Sequence, residues 1–269
     1  PIQGIVNDGV GIGHAGVKPA PCDRNDAGCR VSGSHLFHHV LAMHARPLVS
    51  IFQATENPEL PITTPILERE GYTVAYDGRT KTALWVYEEL NRESCYGDYD
   101  REECKFIPDP DLPASIQANT TDYRGSGFDR GHLAIAANHK ASESEIQQTF
   151  YLSNISPQVP QFNRGYWKKL EQHVRNLTNE YAVVRVMTGP LYLPHDEPNG
   201  KKYVTYEVIG KNDIAVPTHF FKVITAGSGN LGRRMVFIIP NEPIDAETPL
   251  DSFLTTVEKL EKVSGIVFR

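Results

Sequence analysis

A glycine-rich run at residues 122–140 constrains this chain more than any other stretch, because it sets an imidazole beside a guanidinium on a tightly turning backbone. Its centre is Asp129-Arg130-Gly131-His132, preceded by Gly125 and Gly127. Glycines at this density let the backbone turn sharply or approach a ligand closely. A histidine exchanges a proton near neutral pH, and an arginine binds phosphate in a bidentate fashion. The run therefore suits attack on a phosphodiester.

A second set of polar residues follows downstream, in a segment with helical spacing. Residues 151–158 are Tyr-Leu-Ser-Asn-Ile-Ser-Pro-Gln, and residues 162–171 are Phe-Asn-Arg-Gly-Tyr-Trp-Lys-Lys-Leu-Glu. We predict a helix over residues 163–176. At about 100° per residue, Asn163, Trp167 and Glu171 share one side of that helix and face a common pocket.

Together these motifs resemble the DNA/RNA non-specific endonucleases of the ββα-metal (His-Me finger) class, and within it the mitochondrial endonuclease G branch. The likeness covers residues 72–269 and includes residues 123–132, 149–154 and 216–222. Residues 104–111 and 260–268 are more similar to the related mitochondrial exonuclease. That relative typically has Ser where this chain has Asp129, which places the chain nearer the endonuclease branch.

The resemblance implies a role for each motif residue. It implies that His132 acts as general base, that Arg130 contacts phosphate and that Asn154 lines the site. It also implies that Asn163 binds the metal ion directly and that Glu171 holds the water shell of that ion. The predicted catalytic residues are therefore His132, Arg130, Asn154 and Glu171, and the predicted metal ligands are Asn163 and, through water, Glu171.

The residues by themselves leave structural alternatives open. Asn163 also suits the N-cap of a helix. Glu171 also suits a solvated carboxylate that bridges to Arg175 one turn later. Arg130 beside Asp129 also suits a structural ion pair. The other histidines of this region have no comparable motif: His139, His173 and His219.

The charge distribution bears on the class of nucleic-acid protein. The formal net charge of −6 argues against a protein that coats nucleic acid, which is normally basic. Residues 121–175 nevertheless hold seven Lys/Arg against five Asp/Glu. Such a locally basic cleft on an acidic body favours turnover without long retention of product. We expect the substrate-binding residues to be Arg124, Arg130, Arg164 and Lys168.

The resemblance implies a specific reaction. The expected enzyme is a Mg²⁺-dependent, sugar-non-specific endonuclease, with Mn²⁺ as a substitute, that hydrolyses DNA and RNA and leaves 5′-phosphate and 3′-hydroxyl ends. Three alternatives are a predominantly 5′–3′ exonuclease, a catalytically dead nucleic-acid-binding homologue, and a structural metal protein. The last would use the histidines at positions 35, 38 and 39, which share a helix face. No phosphate-cradling loop or nucleophilic triad competes with these.

The periodicity predicts one α+β (mixed α/β) catalytic domain over residues 71–269, preceded by an N-terminal arm and helix at residues 1–70 that wrap the body. We expect a central antiparallel sheet flanked by helices. The resemblance implies a ββα-metal finger at the active site. The predicted strands cover residues 72–77, 82–87, 150–155, 182–188, 203–209, 220–225 and 235–239. The further predicted helices cover residues 142–149 and 250–263. No apolar run approaches the length of a membrane span.

The N-terminal region bears on assembly. Ser34 suits an N-cap, and Leu36, Val40 and Met43 follow it as an apolar stripe with helical spacing. The stripe lies outside the catalytic motifs and could cover a second copy of the chain. Because the resemblance also implies a dimer, we expect a two-fold homodimer.

The four cysteines bear on the compartment. They form two local pairs, Cys22 with Cys29 and Cys95 with Cys104, and neither pair has zinc-knuckle spacing. Three connectivities are possible, and we favour local disulfides in an oxidising compartment; four free thiols in a reducing cytosol is the alternative. The glycosylation sequons at Asn119 and Asn176 give weak support for secretion. The expected location is secreted, periplasmic, or the mitochondrial intermembrane space.

Overall fold

The computed structural model describes residues 63–227 and 232–268, all within one compact unit that spans Leu48–Arg269. The predicted helix at Ser34, its apolar stripe, the three neighbouring histidines and the Cys22–Cys29 pair lie outside the described residues. Of the helices within them, none is long and apolar enough to cross a membrane. The division at residue 70 stays a prediction, although residues 66–68 already form the first strand of the sheet.

The strands, in chain order, are β1 (Ile66–Glu68), β2 (Tyr72–Asp77), β3 (Thr82–Leu90), β4 (Asp129–His132), β5 (Ile155–Gln158), β6 (Val184–Leu191), β7 (His195–Asp196), β8 (Lys202–Tyr203), β9 (Val208–Ile209), β10 (Ile214–Ala215), β11 (His219–Ala226) and β12 (Arg233–Pro240). The α-helices are α1 (Arg92–Cys95), α2 (Glu143–Gln148), α3 (Lys168–Leu177) and α4 (Val257–Ser264). Six strands form an antiparallel central sheet in the order β1-β2-β3-β6-β11-β12. The pairs β4–β5, β7–β8 and β9–β10 stand apart from it. The predicted α+β class is confirmed.

Both faces of the sheet are covered. Apolar side chains of β11 point alternately to one face and to the other, and each face packs against its own cluster. Phe220 points into the largest core cluster, where it meets Trp167 at the head of α3. Its neighbour Phe221 points to the opposite face, into a cluster that contains Leu260 of α4. Successive side chains of a strand alternate between faces, so one strand serves two cores. The site lies on the α3 side.

Local signals account for the confirmed elements. The turn between β2 and β3 is closed by the carboxylate of Asp77, which accepts bonds from the backbone of Arg79 and the hydroxyl of Thr80. Helix α2 begins after Ser142, whose hydroxyl accepts from the backbone N–H of Glu145, as an N-cap does. Both features need only a few consecutive residues, which is why the strands predicted over 72–77 and 82–87 and the helix predicted over 142–149 are found in the structure.

The strand predicted over residues 150–155 is wrong. Leu152–Asn154 form a 3₁₀ turn, and the strand begins only at Ile155. The side chain of Asn154 donates to the carbonyls of Ala134 and Thr149. These side-chain bonds hold the turn in place, whereas a strand would be held by backbone bonds to a neighbouring strand.

The helix predicted over residues 163–176 begins differently from an ordinary α-helix. Phe162–Trp167 form a π-helical turn, and α3 follows it. Hydrogen bonds between residues five apart widen the turn and bring Phe162 and Trp167 to the same side. Both are buried, with ring centroids 5.4 Å apart. Core packing of these two rings accounts for the π turn.

Two further predicted elements are shorter in the structure. The strand predicted over 203–209 is split into β8 and β9. The residues between them, 204–207, are exposed and belong to no strand. The helix predicted over 250–263 is interrupted because Leu254 bridges to Phe237, and the backbone N–H of Thr255 donates to Val236. A 3₁₀ turn at Leu250–Phe253 and helix α4 lie on either side.

The predicted Cys95–Cys104 disulfide is wrong, since both thiols are free. Cys95 is buried in the main core at the end of α1. Cys104 packs instead against the cluster that contains Ile146 and Phe150. The two thiols therefore belong to different packing clusters, and their local spacing in sequence does not bring them together.

Candidate active site

His132 ends β4 with its imidazole buried between two aromatic rings. The ring centroids of Phe106 and Phe150 lie 5.4 and 4.9 Å from that of His132. Its Nε2 has no hydrogen-bond partner among the described residues. Burial, reinforced by the charges of Arg101, His139 and Arg130, lowers the pKa of His132 to about 3. At neutral pH the imidazole is therefore uncharged, and its buried Nε2 has an unused hydrogen-bonding capacity among the described residues.

Backbone packing sets the position of His132. Gly131 lies against Gln158 of β5, and a Cβ at Gly131 would come within 2.1 Å of the Gln158 side-chain oxygen. A larger residue at this position would require the buried Gln158 side chain to shift. The indole Nε1 of Trp167 donates to the carbonyl of His132 over 3.4 Å. Gly131 thus lets the strand that ends in His132 pack closely on Gln158 of β5, and the bond from Trp167 of the π turn holds the backbone of His132.

Asn154 is fully buried, and its side chain bonds only to backbone groups among the described residues. Its amide nitrogen donates to the carbonyls of Ala134 and Thr149, and its oxygen accepts from the N–H of Ala134, at 2.8–2.9 Å. These bonds hold the chain immediately after His132. A catalytic role for Asn154 stays a prediction, and its contacts support a positioning role.

Asp129 connects the motif at residues 129–132 to the motif at residues 162–171. It forms no ion pair with its neighbour Arg130. Its carboxylate accepts a bidentate pair from Arg164 at 2.6 and 2.8 Å, and a bond from the Asn163 amide nitrogen at 2.9 Å. Burial raises the pKa of Asp129, but these bonds outweigh burial and lower it below its usual value. Arg130 instead lies over the ring of Phe106, 4.3 Å from the centroid. The alternative of an Asp129–Arg130 ion pair is therefore wrong.

Asn163 lies inside the π turn, so the alternative that it is the N-cap is also wrong. The turn begins after Gln161, which makes no side-chain cap. Because the amide nitrogen of Asn163 donates to Asp129, the orientation of the amide is set. Its oxygen has no hydrogen-bond donor among the described residues and remains available to a cation.

Glu171 is buried on α3, which excludes the alternative of a solvated carboxylate. It makes no hydrogen bond or ion pair within the described part of the chain, and Arg175 donates to Asn138 and Gln172 instead. Burial raises the pKa of Glu171, and the charge of Lys222 opposes the rise. Lys222 is itself buried, donating to Thr188 at 2.6 Å and lying 4.8 Å from the Trp167 ring centroid.

The amide oxygen of Asn163 and the carboxylate of Glu171 are both hard donors, which suits a hard divalent cation. The described residues contain no cluster of three or more His, Cys, Asp or Glu side chains of the kind that cages a metal. Mg²⁺ commonly keeps several waters and takes few protein ligands, so such a sparse donor set still fits it.

The chain also matches known proteins over most of its length. Residues 53–269 match the family described as DNA/RNA non-specific endonuclease. This chain belongs to that family. It is a nuclease, and membership of this family implies a divalent metal ion.

The nuclease is 50% identical over 211 residues to Endonuclease G, mitochondrial, of Homo sapiens; the match covers 78% of this chain and 71% of that protein. It is 42% identical over 201 residues to Nuclease EXOG, mitochondrial, of Homo sapiens, covering 73% of this chain and 55% of that protein. A solved structure of the EndoG/EndoGI complex matches with a TM-score of 0.73 and 44% identity, over 76% of this chain and 84% of that one. The resemblance to the endonuclease G branch and the fold class are confirmed.

The predicted substrate contacts of the nuclease are not all equivalent. Arg124 and Arg130 are exposed and line a common cavity. Arg164 is exposed but paired with Asp129. Lys168 is exposed at the start of α3 and touches no other predicted site residue through a hydrogen bond or ion pair among the described residues. Their binding roles stay predictions.

Sequence patterns do not single out Arg101, yet it lies next to the site. Its guanidinium is 5.5 Å from the centroid of Phe150, one of the two rings around His132. After burial, its charge is the largest influence that lowers the pKa of His132, and it also acts to lower the pKa of Glu171. No local motif marks Arg101, because only the folded loop brings it there.

A buried ionic layer around His139 is also invisible to local patterns. His139 bonds to Glu145 through Nδ1 and to Glu88 through Nε2, each at 2.9 Å. Burial lowers the pKa of His139, but the bonds from Glu145 and Glu88 outweigh burial and raise it to about 9. Next to it in the chain, Asn138 accepts from Arg175 of α3. The layer connects β3 and α2 to the segment after His132.

Proposed function

We propose that this chain is a Mg²⁺-dependent, sugar-non-specific endonuclease that hydrolyses DNA and RNA, with Mn²⁺ as a substitute, and leaves 5′-phosphate and 3′-hydroxyl ends. The observation that carries the proposal is the neutral imidazole of His132, whose buried Nε2 has no hydrogen-bond partner in the described part of the chain. An unpartnered buried nitrogen beside an exposed arginine suits a group that takes a proton from water next to a phosphate.

In this proposal, His132 accepts the proton of the attacking water at Nε2. Arg130 binds the scissile phosphate, and the anion counteracts the positive charges that lower the pKa of His132. Asn163 and, through water, Glu171 hold the metal ion. When bound, that ion stabilises the charge on the phosphate and on the departing 3′ oxygen. Asn154 holds the backbone after His132 so that the imidazole keeps its orientation.

The test is digestion of circular plasmid, linear duplex and RNA, with Mg²⁺ and with EDTA. The proposal expects nicking of the circular plasmid and loss of RNA in Mg²⁺, with both abolished by EDTA. Ligation of the fragments without prior end repair checks the 5′-phosphate and 3′-hydroxyl ends. Cutting of linear duplex alone would instead support the exonuclease, and DNA binding without cleavage the catalytically dead homologue.

Location and assembly are also proposals. The matched relatives are named as mitochondrial proteins, which supports a mitochondrial location for this chain. We expect a homodimer, as the resemblance implies. Light scattering at micromolar protein tests it: the dimer requires twice the 30.0 kDa mass of one chain, and a mass near 30.0 kDa would refute it.

A further inference from the structure

A cavity of about 390 Å³ opens beside β4, on the side that carries Arg130. Its walls combine two aromatic side chains, Tyr123 and Phe128, with the guanidinium groups of Arg124 and Arg130. Grooves that bind single-stranded nucleic acid combine cationic and aromatic side chains in this way. The guanidinium of Arg124 makes no ion pair or hydrogen bond with any described residue, so it is free to bind an anion.

The hydroxyl of Tyr123 is an independent sign of a ligand. The residue is 6% exposed, and its hydroxyl is buried with no hydrogen-bond partner among the described residues. Buried polar groups normally have a partner, because leaving one without any is costly. Because Tyr123 also lines the cavity, a ligand bound there is the candidate for that partner.

The loop that carries both residues is already in place. The carboxylate of Asp122 accepts bonds from the backbone N–H of Lys211 at 3.0 Å, from the Asn212 side chain at 2.8 Å, and from the backbone N–H of Asn119 at 2.8 Å. These bonds dock the loop on the β9–β10 hairpin. Binding then needs little ordering of the protein, which favours affinity.

A second cavity, of about 560 Å³, is also lined by Arg124. Its other lining residues include Lys211 of the β9–β10 hairpin and the carboxylates Asp122 and Glu207. Arg124 therefore lines both cavities, one together with Arg130 and the other together with Lys211. Several cations around neighbouring cavities suit a chain of phosphates better than a single small anion.

We propose that these cavities form a strand-binding subsite next to the scissile position, in which Arg124 binds a neighbouring phosphate of the nucleic acid. The hydroxyl of Tyr123 bonds to a sugar or phosphate oxygen of the same nucleotide. The subsite rests on the proposed nuclease function and extends it, because it would bind a nucleotide next to the one whose phosphodiester bond is cleaved. It sets affinity for the strand and leaves the chemical step unchanged.

The test compares Arg124→Gln, Tyr123→Phe and the control Lys262→Gln on a single-stranded DNA 12-mer. Lys262 is an exposed lysine on α4, which packs on the opposite face of the sheet. Losing a charged hydrogen bond should raise KM about tenfold for Arg124→Gln, and losing a neutral one should raise it about threefold for Tyr123→Phe. In both variants kcat should stay near the wild-type value, and Lys262→Gln should match wild type.

A binding measurement separates this inference from the reaction itself. In the His132→Ala background, fluorescence anisotropy in EDTA gives the affinity for the same 12-mer at several salt concentrations. Arg124→Gln should lower the slope of log K against log salt by about 0.7, the value for one phosphate on a single strand. An affinity and slope equal to those of Lys262→Gln would overturn the subsite, as would a fall in kcat at unchanged KM. Absence of cleavage by the wild type would overturn the proposed function instead.

Discussion

Two regions on either side of His132 use charged residues in opposite ways. On the outer side, Arg124, Arg130 and Arg164 are exposed, and only Arg164 has an acidic partner among the described residues. Beneath it, a buried layer holds Glu88, Glu145 and Glu171 with His139 and Lys222. His139 bonds to two carboxylates there, and the pKa values of His139, Glu171 and Lys222 are shifted.

The difference follows from solvation. An exposed charge keeps its water, so it needs no partner and stays available to a ligand, while an exposed ion pair adds little to stability. A buried charge loses its water, and removing its partner leaves a costly isolated charge. The outer arginines are therefore suited to binding, and the buried layer to holding the site in place. Each prediction below tests this division.

The largest effect is expected at His132, which lies between the two regions. Replacing it with alanine removes the proposed general base and should lower turnover by about 10²–10⁴-fold, while the circular dichroism spectrum shows that the variant is still folded. Plasmid nicking rates measure the loss. His195→Ala is the matched control, because His195 is exposed and, within the described residues, forms an ion pair only with Glu197. If more than about a tenth of the activity survived, His132 would not be the base.

The buried layer should show its effect in stability. His139→Leu leaves Glu88 and Glu145 without their cation and should cost about 3–5 kcal/mol in the free energy of unfolding. The pKa of His139 is raised to about 9 in the folded state, above 6.5 in the unfolded state. The stability from this histidine is therefore full below pH 6.5 and is lost as pH rises through about 9.

Urea unfolding of wild type and His139→Leu at pH 6 and at pH 9.5 measures both quantities. Subtracting the variant removes the contributions of other groups near His139, such as Tyr72, whose ring centroid is 5.7 Å away. The difference between the two proteins should shrink at the higher pH. A variant as stable as wild type at pH 6 would break the comparison, since the buried pair would then contribute nothing.

Asn163 should affect the metal requirement more than substrate binding. Removing a direct ligand should raise the Mg²⁺ concentration for half-maximal activity by about 10–100-fold in Asn163→Ala, a loss at least as large as that from outer-shell partners. DNA affinity in EDTA should not change, because the arginines keep their phosphate contacts. Asn176→Ala, at an exposed position on α3, is the control. An unchanged Mg²⁺ activation curve in Asn163→Ala would remove it from the coordination shell.

The smallest effect is expected for Arg164. Arg164→Gln removes an exposed ion pair to Asp129, so the melting temperature should stay within about one degree of wild type. The KM for DNA should rise by no more than about threefold, because one partner of Arg164 is already a protein carboxylate. Differential scanning calorimetry and steady-state kinetics check the two values. A drop of several degrees would show that the outer region also stabilises the fold.

The sequence by itself determined the elements whose signals are local. The turn closed by Asp77, the N-cap at Ser142 and the alternating β2 and β3 each depend on residues within a few positions of one another. The family motifs likewise gave His132, Asn163 and Glu171 as candidates. In the structure two bonds join the segments that carry them: Asn163 donates to Asp129, and Trp167 donates to the carbonyl of His132.

Only the tertiary structure decided which partner each charged or polar residue has. Asp129 pairs with Arg164, not with its neighbour Arg130, and His139 bonds to Glu88, 51 positions away. Cys95 and Cys104 belong to different cores although they are near in sequence. Such pairings depend on which side chains the packing brings into contact and on which side chains are buried away from water. Neither can be derived from the distance between residues along the chain.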